Sequence, residues 1–129
     1  MVDVIGIGAG VCDRLQELDL PAIGINVAES ASIEDRYLRM RDELWFRARG
    51  FLEKKSCKLI EDDVLTGELS LPQYTFTSNG KIKVESKDEM RRRYPRSPDV
   101  ADAFCLTFAD AAQFRGRPAY EPEVYADGA

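Results

Sequence analysis

Hydrophobic and polar positions along the chain predict a β-α-β unit at its start. Residues 2–7 form a nearly continuous apolar run that ends in glycines, which is typical of a buried parallel strand. Val11, Leu15 and Leu18 lie on one side of a short predicted helix, and residues 22–27 form a second apolar run. This order predicts two parallel strands joined by a crossover helix.

The middle of the chain predicts one long helix followed by a shorter one. Ser32 and Asp35 have the spacing of a capping box, which marks a helix start. Apolar residues then recur at helical spacing and predict a helix over about 33–54, with Trp45 as a core residue. Leucines and a valine over 64–71 predict a short helix that ends before a proline.

The last part of the chain predicts a hairpin and a final helix. Asn79 and Gly80 form a strong turn signal between two short apolar runs. Residues 97–114, SPDVADAFCLTFADAAQF, begin with an N-cap serine and place proline at the first helical position. We interpret residues 1–114 as one α/β domain and the polar residues 115–129 as a C-terminal tail or linker.

The composition narrows the chemistry that the chain can carry out. Its 129 residues are 44% hydrophobic and 32% charged, as in a soluble globular domain, with no apolar run of membrane-spanning length. The N-terminus lacks the order of a signal peptide, so we expect a cytoplasmic protein. The chain has no histidine and three widely spaced cysteines, which argues against zinc and histidine-assisted nucleophiles. Catalysis at neutral pH would rest on carboxylates with metal ions.

A local basic segment contrasts with the net charge of −5. Residues 81–96 hold seven basic and three acidic side chains, so this segment is positive within an acidic chain. Such a patch fits contact with a phosphate backbone, although a solvated hairpin and helix face would have the same composition. The side chains that we predict to contact DNA are Lys81, Lys83, Lys87, Arg91, Arg92 and Arg93.

The glycines after the first strand do not form a dinucleotide-binding loop. A Rossmann fingerprint needs a third glycine, and Val11 or Asp13 stands at that position here. We therefore expect no nicotinamide cofactor, and a Walker loop is absent. The unusual residue is Asp3, because a carboxylate in a buried strand is costly unless it is paired or binds a metal.

Asp99 and Asp102 are further candidate carboxylates, and both fall at the start of the last predicted helix. The helix dipole there favours an ionised carboxylate. Taken singly, Asp99 fits first-turn electrostatics and Asp102 fits a surface acid. Taken with Asp3, they are typical of nucleases in which carboxylates bind Mg²⁺ or Mn²⁺ and two ions assist phosphodiester hydrolysis.

Four sequence blocks together resemble the nuclease domain of phage large terminase subunits. The resemblance covers about residues 2–110 and rests on VDVIGIGAGVCDRL, RYLRMRDELWFRARGFL, KIKVESKDEMRRR and SPDVADAFCLTFA. It implies a partial RNase H-like α/β fold with a central sheet, flanking helices and a β-hairpin. It also implies two-metal cleavage of concatemeric phage or prophage DNA, coupled in the full-length protein to an ATPase.

The resemblance assigns catalytic and metal-binding roles to three carboxylates. Asp3 matches the second acid of the family, Asp99 matches the third, and Asp102 matches a neighbouring acid in the same motif. The family's first acid lies on an earlier strand that this sequence lacks, which implies a chain that begins in the middle of the fold. We therefore expect an incomplete two-ion site for Mg²⁺ or Mn²⁺, and a chain that is weakly active or inactive alone.

The resemblance implies double-stranded DNA as the main partner, in the cytoplasm of a bacterial host. The small terminase subunit and the portal protein are further implied partners. The alternative is a non-catalytic DNA-binding or packaging-interaction module that uses the basic residues 81–96. The catalytic hypothesis requires Asp3 and Asp99 to approach each other across a cleft, whereas the binding module does not.

Overall fold

The computed structural model describes residues 1–110, which divide into two compact units. One unit contains Met1–Asn26 with Asp110, and the other contains Val27–Ala109. Each combines helix with one two-stranded sheet. No helix among these residues is long and apolar enough to cross a membrane. The predicted last helix ends at Leu106, earlier than expected, and its predicted residues 111–114 and the predicted tail lie outside the described residues.

The first unit has the predicted β-α-β order, with shorter elements. Strand β1 (Val2–Asp3) pairs in parallel with β2 (Gly24–Ile25), and helix α1 (Gly8–Glu17) connects them. The order and the parallel pairing confirm the prediction from the apolar pattern.

The predicted strand over residues 2–7 is wrong in length, because the chain turns after Asp3. Gly6 adopts a left-handed conformation with φ +64°, and Ile7 is 89% exposed. Gly8 lies so close to β1 that a Cβ at this position would be 1.7 Å from the Asp3 carbonyl oxygen. The glycines therefore allow a tight passage from strand to helix, which residues with side chains would block.

The second unit contains a β-hairpin surrounded by helices. Its elements are α2 (Met40–Glu53), α3 (Asp63–Leu69), β3 (Tyr74–Phe76), β4 (Ile82–Val84), α4 (Lys87–Arg91) and α5 (Asp99–Leu106). Helix α2 packs against α5 and β4, and α3 packs against α5. The antiparallel pairing of β3 with β4 confirms the predicted hairpin, and Gly80 in the turn has φ +78°.

Helix α2 begins at Met40, so the predicted long helix starts too early. The backbone of residues 36–38 instead bonds to Ile82 of β4, with N···O distances of 2.8 and 3.1 Å. Ser32, the predicted cap, donates its backbone N–H to Glu43 at 2.7 Å. Contacts with the hairpin and with α2 therefore override the local capping signal.

Helix α5 begins at Asp99, and its predicted serine cap is wrong. Pro98 occupies the N-cap position and makes no side-chain capping bond. Glu68 of α3 accepts a hydrogen bond from the amide N–H of Ala101 at 2.8 Å. A neighbouring helix thus supplies the acceptor for one of the free amides at the start of α5.

Asp42 connects the start of α2 to the hairpin. Its side chain is almost fully buried, and Oδ1 accepts a hydrogen bond from the amide of Val84 at 2.8 Å. Oδ2 accepts one from the amide of Arg39, the N-cap of the same helix, at 2.9 Å. Because both oxygens have donors, the carboxylate can be buried without a large desolvation cost.

Glu43 connects α2 to the loop before it. It accepts hydrogen bonds from the amides of Ser32 at 2.7 Å and Ile33 at 3.2 Å, and it pairs with Arg47. Burial alone would raise the pKa of Glu43, but the bonds from Ser32 and Ile33 and the charge of Arg47 lower it overall. The ionised form is therefore built into the folded state.

We predict that Glu43→Gln destabilises the chain by about 3 kcal/mol, because it removes a buried charge that Arg47 and the loop amides satisfy. Urea unfolding followed by circular dichroism measures the change. The matched control is Glu53→Gln, which alters an exposed pair with Arg49 on the same helix and should change stability little. Equal effects of the two substitutions would contradict this role of Glu43.

We also predict how the stability difference between wild type and Glu43→Gln depends on pH. Because the folded-state pKa of Glu43 lies below its ordinary value of 4.5, its contribution is full above that pH and is lost as the pH falls through the folded pKa. The stability difference between wild type and Glu43→Gln should therefore shrink below about pH 4.5. A difference that grows on acidification would contradict the assignment.

Candidate functional site

Lys87 bridges two of the predicted site carboxylates. Its Nζ lies 3.2 Å from Asp99 Oδ1 and 3.3 Å from Asp102 Oδ2. The two aspartates stand three residues apart in the first turn of α5, whereas Lys87 is the first residue of α4. The Asp99 side chain is 73% exposed and that of Asp102 is 21% exposed. An ammonium group thus lies between one open and one partly buried carboxylate.

Helix α4 is held in place by a capping box that the sequence analysis did not identify. Ser86 Oγ accepts from the amide of Glu89 at 3.2 Å, and the Ser86 amide donates to Glu89 Oε2 at 2.7 Å. Hydrogen bonds to the Glu89 carboxylate, first from the Ser86 amide and then from the Ser86 side chain, together with the charge of Lys83, lower the pKa of Glu89 to about 2. The cap fixes the residue before Lys87 and so orients the helix that carries the ammonium group.

The second oxygen of Asp102 is bound from helix α2. The indole Nε1 of Trp45 donates to Asp102 Oδ1 at 2.9 Å, and Arg41 Nη2 lies 3.4 Å from the same oxygen. Arg41 also donates through Nη1 to the carbonyl of Glu85 at 2.9 Å, and its guanidinium lies 5.7 Å from the centre of the Trp45 ring. Asp102 is therefore in contact with cationic or N–H groups on both oxygens.

Arg41 is not among the site residues predicted from the sequence, and Trp45 is predicted only as a core residue. The core assignment is confirmed, since Trp45 is 8% exposed, but its N–H group also belongs to the site. Two signals could have shown this. Arg41 and Trp45 are four residues apart and so share one helix face, and a buried indole N–H needs an acceptor.

The charges around Asp102 affect two neighbouring groups. Burial opposes the charged form of Lys87, but the charge of Asp102 and the hydrogen bonds to both aspartates raise its pKa overall. Burial first, and then the charge of Asp102, raises the pKa of the Cys105 thiol to about 12. Lys87 is thus stabilised in its charged form by the two carboxylates, and Cys105 is an inert buried thiol at neutral pH.

The donor set fits one hard divalent cation. The Lys87 ammonium between the carboxylates of Asp99 and Asp102 shows that this position accommodates positive charge. Mg²⁺ is commonly held by one or two carboxylates, with water completing its shell. Within residues 1–110, however, no group of three or more acidic or cysteine side chains could hold a metal ion. The described residues therefore offer two clustered ligands.

Asp3, the third predicted ligand, lies in the Met1–Asn26 unit, whereas Asp99 and Asp102 lie in the Val27–Ala109 unit. The prediction that it occupies a buried position is wrong, because Asp3 is exposed at the end of β1. Its Oδ1 accepts a hydrogen bond from the amide of Ile5 at 3.1 Å. A solvated carboxylate carries no desolvation cost, so its place in the strand does not require a metal.

Ion pairs engage most of the side chains predicted to contact DNA. Within the described residues, Arg92 is exposed and makes no ion pair, and Lys81 is partly buried and also makes none. The paired members are Lys83 with Glu89 (3.5 Å), Lys87 with Asp99 and Asp102, Arg91 with Asp88 (2.9 Å), and Arg93 with Glu85 (3.0 Å). The basic segment is thus partly neutralised by nearby acids, and Arg92 and Arg96 are its exposed members without an ion pair among the described residues.

The sequence matches no family model and no curated protein. Similar solved structures are nuclease domains of the large terminase subunit gp2 of bacterial virus Sf6. A lysine-to-alanine mutant of that domain with manganese has a TM-score of 0.66 and 21% sequence identity, and one with calcium has 0.66 and 20%. The chain has the fold of a phage terminase nuclease domain.

This likeness confirms the predicted RNase H-like fold in partial form. The alignment covers 84% of this chain but only 64% of the manganese-containing nuclease domain. A further solved nuclease domain of Sf6 gp2 gives a TM-score of 0.62 at 19% identity. That alignment covers 84% of this chain and 63% of the solved domain. The chain therefore spans less than two thirds of the solved domains that it matches.

We predict that Cys105 resists alkylation in the folded chain and that Cys57 reacts much sooner. Cys105 is 2% exposed, and with a pKa of about 12 roughly one thiol in ten thousand is ionised at pH 8. Iodoacetamide labelling followed by peptide mass spectrometry gives both rates. The two rates should converge in urea. Equal labelling of the folded chain would show that α5 is not packed on α2 as described.

Proposed function

We propose that this chain is the DNA-cleaving part of a viral DNA-packaging terminase. The proposal rests on one arrangement, in which Asp99 and Asp102 surround a cationic group at the start of α5 on a terminase nuclease fold. Nuclease domains of that fold have been solved with manganese and with calcium. The proposed reaction is metal-dependent hydrolysis of phosphodiester bonds in double-stranded DNA.

The residues of the site have separable roles in this proposal. Asp99 and Asp102 would hold Mg²⁺ or Mn²⁺, which when bound supplies positive charge to the phosphate under attack. Asp99 is the more exposed of the two and so faces the side from which DNA can approach. Lys87, once it leaves the carboxylates, can donate a charge-assisted hydrogen bond to a phosphate oxygen, because a lysine ammonium is protonated at neutral pH.

A two-ion site is a further part of the proposal and would need Asp3 as an additional ligand. The support for Asp3 is its match to a metal-binding acid in the terminase resemblance. Because the chain spans 64% of the solved domain, cleavage by the whole protein and activity of this chain are separate proposals. With two clustered carboxylates, we expect weak cation binding and slow cleavage by this chain.

A non-catalytic DNA-binding module is the second candidate function. It is favoured by the ion pairs of Lys87, which already neutralise Asp99 and Asp102 without any metal. It is also favoured by the lack of a three-ligand group among the described residues. In this case Arg92 and Lys81 would contact DNA, and cations would bind only weakly and nonspecifically.

The first prediction of the proposal is that Mn²⁺ binds and that Asp99→Asn weakens the binding at least tenfold, because one of two carboxylate ligands is lost. Isothermal titration calorimetry measures the affinity, and plasmid nicking with Mn²⁺ follows activity. The matched control is Asp88→Asn, which removes an exposed acid from α4 and should leave the affinity unchanged. Equal affinities for wild type and Asp99→Asn would support the binding module instead.

The second prediction concerns DNA contact by the basic segment. Arg92→Gln should reduce the slope of log affinity against log salt by about one unit, because one phosphate contact is lost. Fluorescence anisotropy with a labelled duplex at several salt concentrations measures the slope. Arg14→Gln removes the same charge from α1, outside the basic segment, and should leave the slope unchanged. Equal slopes for all three proteins would remove Arg92 from the DNA interface.

A further inference from the structure

Asp102 is the only candidate ligand whose carboxylate is fixed from the core of its unit. Its Oδ1 accepts a hydrogen bond from Trp45 Nε1 at 2.9 Å and forms an ion pair with Arg41 Nη2 at 3.4 Å, and both residues lie on one face of α2. The side chains of Asp102 and Arg41 are 21% and 17% exposed, and Trp45 is buried. The orientation of the carboxylate is therefore set inside the protein.

Arg41 is itself fixed on its other side. Its Nη1 donates to the carbonyl of Glu85, which follows strand β4, at 2.9 Å. Its guanidinium also lies 5.7 Å from the centre of the Trp45 ring, within the range of a cation–π contact. The planar guanidinium, held by the Glu85 carbonyl and the Trp45 ring, cannot rotate freely. It therefore keeps Nη2 beside Asp102.

We propose that Arg41 and Trp45 are positioning residues of the cation site, a role that rests on the proposed function. They occupy Oδ1 of Asp102, so that Asp102 offers only Oδ2 to a cation. That oxygen is the one that already faces Lys87, and Asp99 Oδ1 lies on the other side of the same ammonium. Arg41 and Trp45, which we call the clamp, therefore make Asp102 bind a cation through one oxygen and keep Asp102 beside Asp99.

The indole N–H group of Trp45 can be observed directly, because Trp45 is the only tryptophan in the chain. The protein gives a single indole N–H signal in a ¹⁵N-correlated NMR spectrum, and that proton is donated to Asp102. Binding of a cation to Oδ2 draws charge away from Oδ1 and so changes this hydrogen bond. A tryptophan with a merely structural role would give a signal that does not respond to the cation.

The experiment titrates Mg²⁺ into the full chain and follows both the indole signal and the heat of binding. We expect the signal to move with the same midpoint as the calorimetric curve. Trp45→Phe and Arg41→Gln should bind Mg²⁺ about 10–100-fold more weakly, as is typical when a group that orients a metal ligand is lost. Arg49→Gln, which removes an arginine of α2 that pairs with Glu53, should bind like wild type.

Two results would overturn the clamp while leaving the proposed function intact. One is an indole signal that stays still while Mg²⁺ binds in a manner that Asp99→Asn abolishes. The other is wild-type affinity in folded Trp45→Phe and Arg41→Gln. Absence of Mg²⁺ binding by the wild type overturns both proposals. The indole measurement needs no substitution in the clamp, so a variant that fails to fold leaves the test complete.

Discussion

Polar side chains in the first two turns of helix α2 hold the Val27–Ala109 unit together. Asp42 binds the hairpin through an amide of β4, and Glu43 binds the loop before the helix. Arg41 and Trp45 both reach Asp102 in α5. Buried polar groups are costly without partners, so α2 can bury its apolar face only when loop, hairpin and α5 are all in place.

This constraint also determines the geometry of the candidate site. Asp102 is held on one oxygen by α2 and faces Lys87 with the other, whereas Asp99 stays open to solvent. The start of α5 takes its cap from Glu68 of α3. The carboxylate end of α5 is thus oriented by two neighbouring helices, and a cation would meet a preformed pair.

Local sequence signals predicted the elements whose stability is local. The Asn79–Gly80 turn predicted the hairpin, in which Gly80 adopts the left-handed conformation that such a turn requires. Two predicted helix caps were wrong because tertiary contacts override the local signal. The amide of Ser32 binds Glu43 where a helix cap was expected. At the start of α5, Glu68 of α3 accepts a hydrogen bond in place of the expected serine cap. Asp99 and Asp102 could be predicted to lie together because they stand three residues apart at a helix start. Their partners on α2 are distant in sequence, and no spacing rule connects them.

A crystal of the full chain soaked in Mn²⁺ tests most directly the central claim, that Asp99 and Asp102 form a cation site set by α2. We expect one anomalous peak about 2.1 Å from an oxygen of each aspartate, the distance typical of a small divalent cation. Lys87 Nζ should then have left the two carboxylates, while Trp45 still donates to Asp102 Oδ1. Manganese bound elsewhere, with Lys87 still bridging the pair, would contradict the account.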